Sequence, residues 1–182
     1  IDPQDGSLWM AFNHNNIDPI GFGRYNTLEG FSLFPTPSGH EVFRVLPLPG
    51  GRRWVVGVSA LGYFNGLTWT WYNSANAPFL TFASFLHAEI DHAGNLWTIT
   101  LKDTIGRFDG AAWITFDSAA IGFKPGGLWI KSDAAGNIFC GSGPSLLRFD
   151  GATWEQIPPP GLPANAYLTA LTQDTDGSYW IA

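Results

Sequence analysis

The groups in this sequence that could do chemistry are four histidines, one cysteine and a scatter of carboxylates. His87 and Glu89 stand two residues apart, so on an extended strand they share a face, as a general base or a pair of metal ligands would. No histidine falls in H-E-x-x-H or other metal-ligand spacing; His14 and His40 lie in loop-like segments and His92 in a turn. Gly141-Ser142-Gly143-Pro144-Ser145 is not a G-x-S-x-G nucleophile elbow. The lone Cys140 reads as a buried, inert thiol. A single cysteine also excludes an internal disulfide framework and a cysteine-based zinc site. Lys102, Lys124 and His40 could meet an acidic ligand, and Phe79 and Phe82, behind Pro78, could stack on a sugar or apolar group. Core packing competes for those rings. The expectation is therefore no catalytic set, no metal and no cofactor. A binding surface would draw on His40, Phe79, Phe82, His87, Glu89, Lys102 and Lys124.

What must position these groups is a repeat. Trp9, Trp54, Trp97, Phe139 and Trp180 each close a short Gly-x-x-aromatic motif and recur every 41 to 45 residues. Asp91, Asp133 and Asp174 stand three residues before the glycine of that motif. A second motif trails the first four copies: Arg24-Tyr25-Asn26, Tyr63-Phe64-Asn65-Gly66, Arg107-Phe108-Asp109-Gly110 and Arg148-Phe149-Asp150-Gly151. Phe31, Trp69, Trp113 and Trp154 follow it. Recurrence of Arg24, Arg107 and Arg148 in one column points to architecture, since a single site needs no copy per unit.

Each unit reads as four short strands separated by turn chemistry. In the third unit these fall at 86–90, 95–101, 105–108 and 112–116. The Asp91, Asp133 and Asp174 turns are expected to close through a carboxylate bond to a backbone N–H two residues on, with glycine at positive φ. Asp109-Gly110 suits a type I′ hairpin turn. No segment sustains a 3.6-residue period, so almost no helix is expected. The composition agrees: charged residues are only 13%, aromatics 15%, with nine Trp, 22 Gly and 13 Pro. Sheets buried on both faces require that balance. The net charge of −6 argues against nucleic-acid binding, and no apolar run is long enough to insert this segment in a membrane.

A four-stranded antiparallel unit repeated about every 40–45 residues with a fixed Trp predicts an all-β fold of the β-propeller type. No Trp-Asp dipeptide supports the WD40 variety. The pattern Asp-x-x-Gly-Asn-Leu-Trp followed by Arg-Phe-Asp-Gly-x-x-Trp, at 91–97 with 107–113 and at 133–139 with 148–154, resembles the two-component regulator propeller repeat. Pro160-Gly161-Leu162-Pro163-Ala164-Asn165 is similar to that family's linker. The resemblance implies an extracellular or periplasmic sensor propeller, in some members joined to a membrane helix and histidine kinase; others are secreted without one.

The expected blades are 1–35, 40–73, 85–117 and 127–158, with the first strands of a fifth at 166–182. The first unit begins at its second strand, so seventeen strands are expected: more than a four-bladed ring needs and fewer than five blades. The expectation is an incomplete arc of a larger propeller; a four-bladed ring and an assembly of two or more arcs are the alternatives. The function expected is a non-catalytic module binding a small molecule, glycan or protein and completed by further blades of its own chain or another copy. The rival readings are a lyase or hydrolase at the channel mouth and a structural repeat of a secreted assembly.

Overall fold

The computed structural model describes residues 2, 5–12, 21–35, 42–57, 60–80, 85–100, 103–125 and 129–182. The element that organises them is the turn before each Trp-column strand. At Asp91 one carboxylate oxygen, Oδ1, accepts the backbone N–H groups of Ala93 (3.0 Å) and Asn95 (2.9 Å). The other, Oδ2, accepts Asn95 Nδ2 and the Trp97 indole Nε1, both at 2.8 Å. The expected bond two residues on is thus present, and Gly94 adopts φ 84°. The link to the indole is new: one side chain closes the turn and fixes the ring that fills the core. Asp174 reaches Trp180 Nε1 in the same way at 3.3 Å, and Asp2 reaches Trp9 Nε1 at 3.4 Å.

The chain divides into two compact units, 1–85 and 86–182. In the first, β1 (Leu8–Phe12), β2 (Gly21–Asn26) and β3 (Gly30–Pro35) form a three-stranded sheet. Next to it in sequence, β4 (Val42–Pro47), β5 (Arg53–Gly57), β6 (Ala60–Phe64) and β7 (Trp69–Tyr72) form a four-stranded one. In the second unit, β8 (Phe85–Ile90), β9 (Leu96–Thr100), β10 (Ile105–Phe108) and β11 (Trp113–Phe116) make one sheet. β12 (Ile130–Ser132), β13 (Ile138–Ser142), β14 (Ser145–Phe149) and β15 (Trp154–Ile157) make another. β16 (Leu171–Gln173) pairs with β17 (Tyr179–Ile181). Among the described residues every sheet is a meander of sequence neighbours paired antiparallel. The α-helix among the described residues is a single turn, α1 (Ser118–Ile121), capped by Asp117 Oδ1 on Ala120 N.

Packing explains the scarcity of charge. All five residues of β9, Leu96 to Thr100, are buried, so this strand faces core on both sides rather than alternating. In the second unit Trp97, Ile99, Ile105 and Ile121 pack with Ile130, Ile138, Cys140, Leu147 and Phe149 between two sheets. The Trp97 ring lies 5.9 Å from Phe116, 5.4 Å from Phe149 and 6.3 Å, edge-on, from Trp154. In the first unit Trp9, Phe22 and Phe34 of one sheet pack against Val42, Val55 and Trp69 of the next. The Arg53 guanidinium sits 4.1 Å over the Trp9 ring.

The hairpin joining the third and fourth strands corrects the sequence expectation. Gly66, Gly110 and Gly151 adopt φ 104°, 101° and 102°, but among the described residues the only non-glycine at positive φ is Asp103. A type I′ turn needs two such residues, so these are not type I′. Asp109 Oδ1 instead accepts the N–H groups of Ala111 and Ala112 (both 2.9 Å), and Asp150 Oδ1 those of Ala152 and Thr153. The side chain does the work that backbone torsion does in a two-residue turn. The recurrent arginines are architectural: Arg24 bonds Asp5 and Glu29 at 2.8 Å, and Arg148 pairs with Glu155 at 3.0 Å. Arg107 lies 5.7 Å over the Trp97 ring.

Hydrogen bonds to a charged acceptor contribute about 1.5–3 kcal/mol each and those on one group overlap, so Asp91→Ala is expected to cost about 3 kcal/mol. Urea unfolding followed by tryptophan fluorescence measures this. A loss below about 0.5 kcal/mol, the scale of an ordinary surface change, would deny the turn its anchoring role.

Candidate functional site

Two residues before each turn aspartate lies one position of a sheet's first strand: Glu89 on β8, Lys131 on β12 and Thr172 on β16. These strands run side by side in the second unit. Ser132 Oγ donates to the Ile90 carbonyl (3.3 Å), and Ala134 N to Gln173 Oε1 (2.9 Å). Lys131 Nζ bonds Glu89 Oε1 at 2.8 Å. Glu89 is buried while the lysine side chain stays 39% exposed, so the pair presents its cationic end to an open groove of about 320 Å³. Glu89, His92, Lys131, Asp133, Thr172 and Gln173 line it. The groove is polar and carries both signs of charge.

His87 is half-buried on β8, with Nδ1 accepting the Ile130 backbone N–H at 3.4 Å. It does not line the groove; His92, exposed in the Asp91 turn, does. Lys124 lies at the other end of the strands, where Nζ pairs with Asp103 Oδ2 at 3.0 Å and its carbonyl accepts Ser142 Oγ. Phe79 is half-buried in a 3-10 turn, Pro78–Leu80, beside the fully buried Leu80. His14, His40, Phe82 and Lys102 lie outside the described residues. The structure therefore joins Glu89 to Lys131 and His92, and separates them from Lys124. Lys131 escaped the sequence reading because it occurs once. Aligning the column ahead of Asp91, Asp133 and Asp174 would have exposed it.

Asp133 borders the groove and has lost its indole, because Phe139 occupies the Trp column. Its Oδ2 accepts Asn137 Nδ2 (2.7 Å) and the Tyr179 hydroxyl (2.6 Å), which arrives from β17. Burial alone would raise the Asp133 carboxyl, but the donors from Asn137 and Tyr179 outweigh it and hold it below its ordinary value. The Tyr179 phenol is pushed up to about 12, first by burial, then by its bond to Asp133 and that residue's charge. Asp133 thus contributes stability above the ordinary carboxylate range, lost on acidification through its lowered pKa. Tyr179 contributes below pH 10, and that is lost as pH rises from 10 toward 12.

Among the described residues no group of three or more His, Cys, Asp or Glu side chains could hold a metal ion. Cys140 is fully buried on β13, and burial pushes its thiol up to about 12, so little of it is the nucleophilic thiolate near neutrality.

No protein-family model and no curated protein matches the chain. Solved structures do. A streptogramin B lyase matches at TM-score 0.73 and 17% identity over 99% of this chain and 59% of its own. Virginiamycin B lyase from Staphylococcus aureus matches at 0.73 and 14% over 100% of this chain and 61% of its own. The extracellular domain of the putative hybrid two-component system BT3049 from B. thetaiotaomicron matches at 0.75 and 15%, over 100% of this chain and 25% of its own. At such identities the likeness shows the fold alone: the chain is an all-β protein of the β-propeller fold. It spans about three fifths of the lyases it matches.

Two measurements check this account. In a spectrophotometric titration one of the five tyrosines should ionise near pH 12, and Asp133→Asn should bring it back toward 10. Ellman's reagent at pH 8 should leave Cys140 unlabelled until denaturant is added; rapid labelling of the folded chain would show the thiol accessible.

Proposed function

We propose that the chain is a non-catalytic ligand- or protein-binding propeller module, the extracytoplasmic sensor part of a larger signalling or secreted protein. The observation that carries this reading is the column Glu89, Lys131, Thr172. The Trp and turn-aspartate columns hold the core and the turns, whereas this one changes chemistry in each unit and lines an open groove. Residues free of architectural duty on a rigid scaffold are where recognition resides. A ligand carrying an anionic and a hydrogen-bonding group, such as an acidic sugar, an amino acid or a peptide, suits Lys131, His92 and Gln173. His87, two residues before Glu89 on the same strand, steadies the neighbouring strand β12 through the Ile130 N–H. His40, Phe79, Phe82, Lys102 and Lys124 are proposed as further contacts of the module, each on its own merits. The repeat's likeness to the two-component regulator propeller and the match to an extracellular domain of a hybrid two-component system support the sensor role. They also support an extracellular or periplasmic location.

A second reading, a propeller lyase, draws on the match to two lyases and on His92 and Glu89 lining one groove. Differential scanning fluorimetry with panels of uronic acids, amino acids and short peptides tests the first reading. At least one probe should raise the melting temperature, and Lys131→Met should abolish the shift while leaving the unliganded protein folded. Absence of any shift across the panels, with consumption of virginiamycin B on incubation, would transfer the case to the lyase.

A further inference from the structure

The charges bordering the groove of the second unit decide what can enter it. They belong to β8–β11 and β12–β15, two complete four-stranded sheets and their turns. Glu89 and Asp133 bring two carboxylates, Lys131 brings one ammonium, and His92 adds an imidazole. With the imidazole neutral the wall carries one net negative charge, in a chain whose net charge is −6. A ligand bearing only negative charge enters against that field, and a dianion more so. A ligand bearing only positive charge gives Lys131 no partner and has to sit beside its ammonium.

The two carboxylates differ in what they have left to offer. Asp133 is committed: Oδ1 accepts the Asn137 N–H at 2.7 Å, and Oδ2 accepts Asn137 Nδ2 and the Tyr179 hydroxyl. It reaches a ligand through its charge. Glu89 and Lys131 meet through Oε1 and Nζ, and that bond takes one of the three N–H groups of the ammonium. Both side chains line the groove, so the pair stands in its wall as a fixed dipole, one positive and one negative group in contact. The complement of such a pair is a second compact dipole laid antiparallel to it. An α-amino acid is one, because its ammonium and carboxylate share a single carbon. A uronic acid has no cation beside its carboxylate, and a peptide carries its two terminal charges at opposite ends. The groove, at about 320 Å³, also stands at the small end of ligand pockets, which run from about 300 to 1,000 Å³.

We propose that this groove binds a free α-amino acid, its carboxylate on Lys131 and its ammonium turned toward Glu89 and the charge of Asp133. The inference rests on the reading of the chain as a binding module and narrows its ligand from acids in general to zwitterions. Discrimination follows from the same pair: removing either charge of the ligand leaves one half of the Glu89–Lys131 dipole unmatched.

Isothermal titration calorimetry of the full chain with the standard L-amino acids tests it, the strongest then being compared with its N-acetyl derivative and its amide. The free amino acid should bind about tenfold or more tightly than either derivative, each of which lacks one charge. Glu89→Gln takes a negative charge from the wall and should shrink the preference over the N-acetyl form. His92→Glu, at an exposed turn residue, adds one and should widen it; circular dichroism checks that both variants fold. Glucuronic acid or the N-acetyl form binding as tightly as the free amino acid would overturn the inference and leave the binding module standing. A preference that neither variant moves would overturn it as well, and so would binding of peptides or uronic acids with no amino acid bound. No binding by any of these probes would remove both readings together.

Discussion

One aspartate carboxylate does two things that a sheet of this kind needs done together. It satisfies the backbone donors of a tight turn and holds an indole by its nitrogen. A buried indole N–H left without an acceptor would cost most of what burying the ring gains. Placing the acceptor in the turn removes that cost and sets the ring's orientation before the neighbouring sheet arrives. The core between sheets β8–β11 and β12–β15 then forms around a ring that is already fixed. Strands covered on both faces can carry few charges, so carboxylates concentrate in turns and the polar chemistry of the second unit gathers on first strands and connections.

The fold class was legible because architecture recurs. The Trp column, the turn aspartates and the Arg-aromatic-Asp-Gly motif each appear several times, and repetition separates them from accident. What recurs inexactly was harder to see. Asp2 plays the part of Asp91, its N–H reaching Ser7 O and its carbonyl accepting Gly6 N–H, but four residues rather than three separate it from the glycine. The hairpin after Phe108 looked like type I′ from its Asp-Gly pair alone. Its torsions show that a side-chain acceptor can replace a second residue at positive φ.

The candidate site was less legible for a related reason. Glu89 stood out beside His87 because both are local in sequence, yet the partner that gives Glu89 its setting is Lys131, 42 residues on. His87 turns out to serve β12, through the Ile130 N–H, more than the groove. A recognition residue does not repeat, so a reading built on recurrence passes over it. Only the register of neighbouring first strands brings Glu89, Lys131 and Thr172 into one row.

The bond across units at Asp133 bears on how freely the units could be rearranged. Where Phe139 stands in the Trp column and offers no indole N–H, the Tyr179 hydroxyl of the following unit donates to Asp133 instead. The two positions form a matched pair: Phe at 139 leaves room for the Tyr179 hydroxyl, and an indole at 139 would bring a third donor to an oxygen that already accepts two. Repeats that otherwise look interchangeable have thereby acquired a fixed order. Moving the unit at 127–158 without its successor would leave Asp133 with Asn137 alone as donor, so this seam is less interchangeable than a uniform array would be.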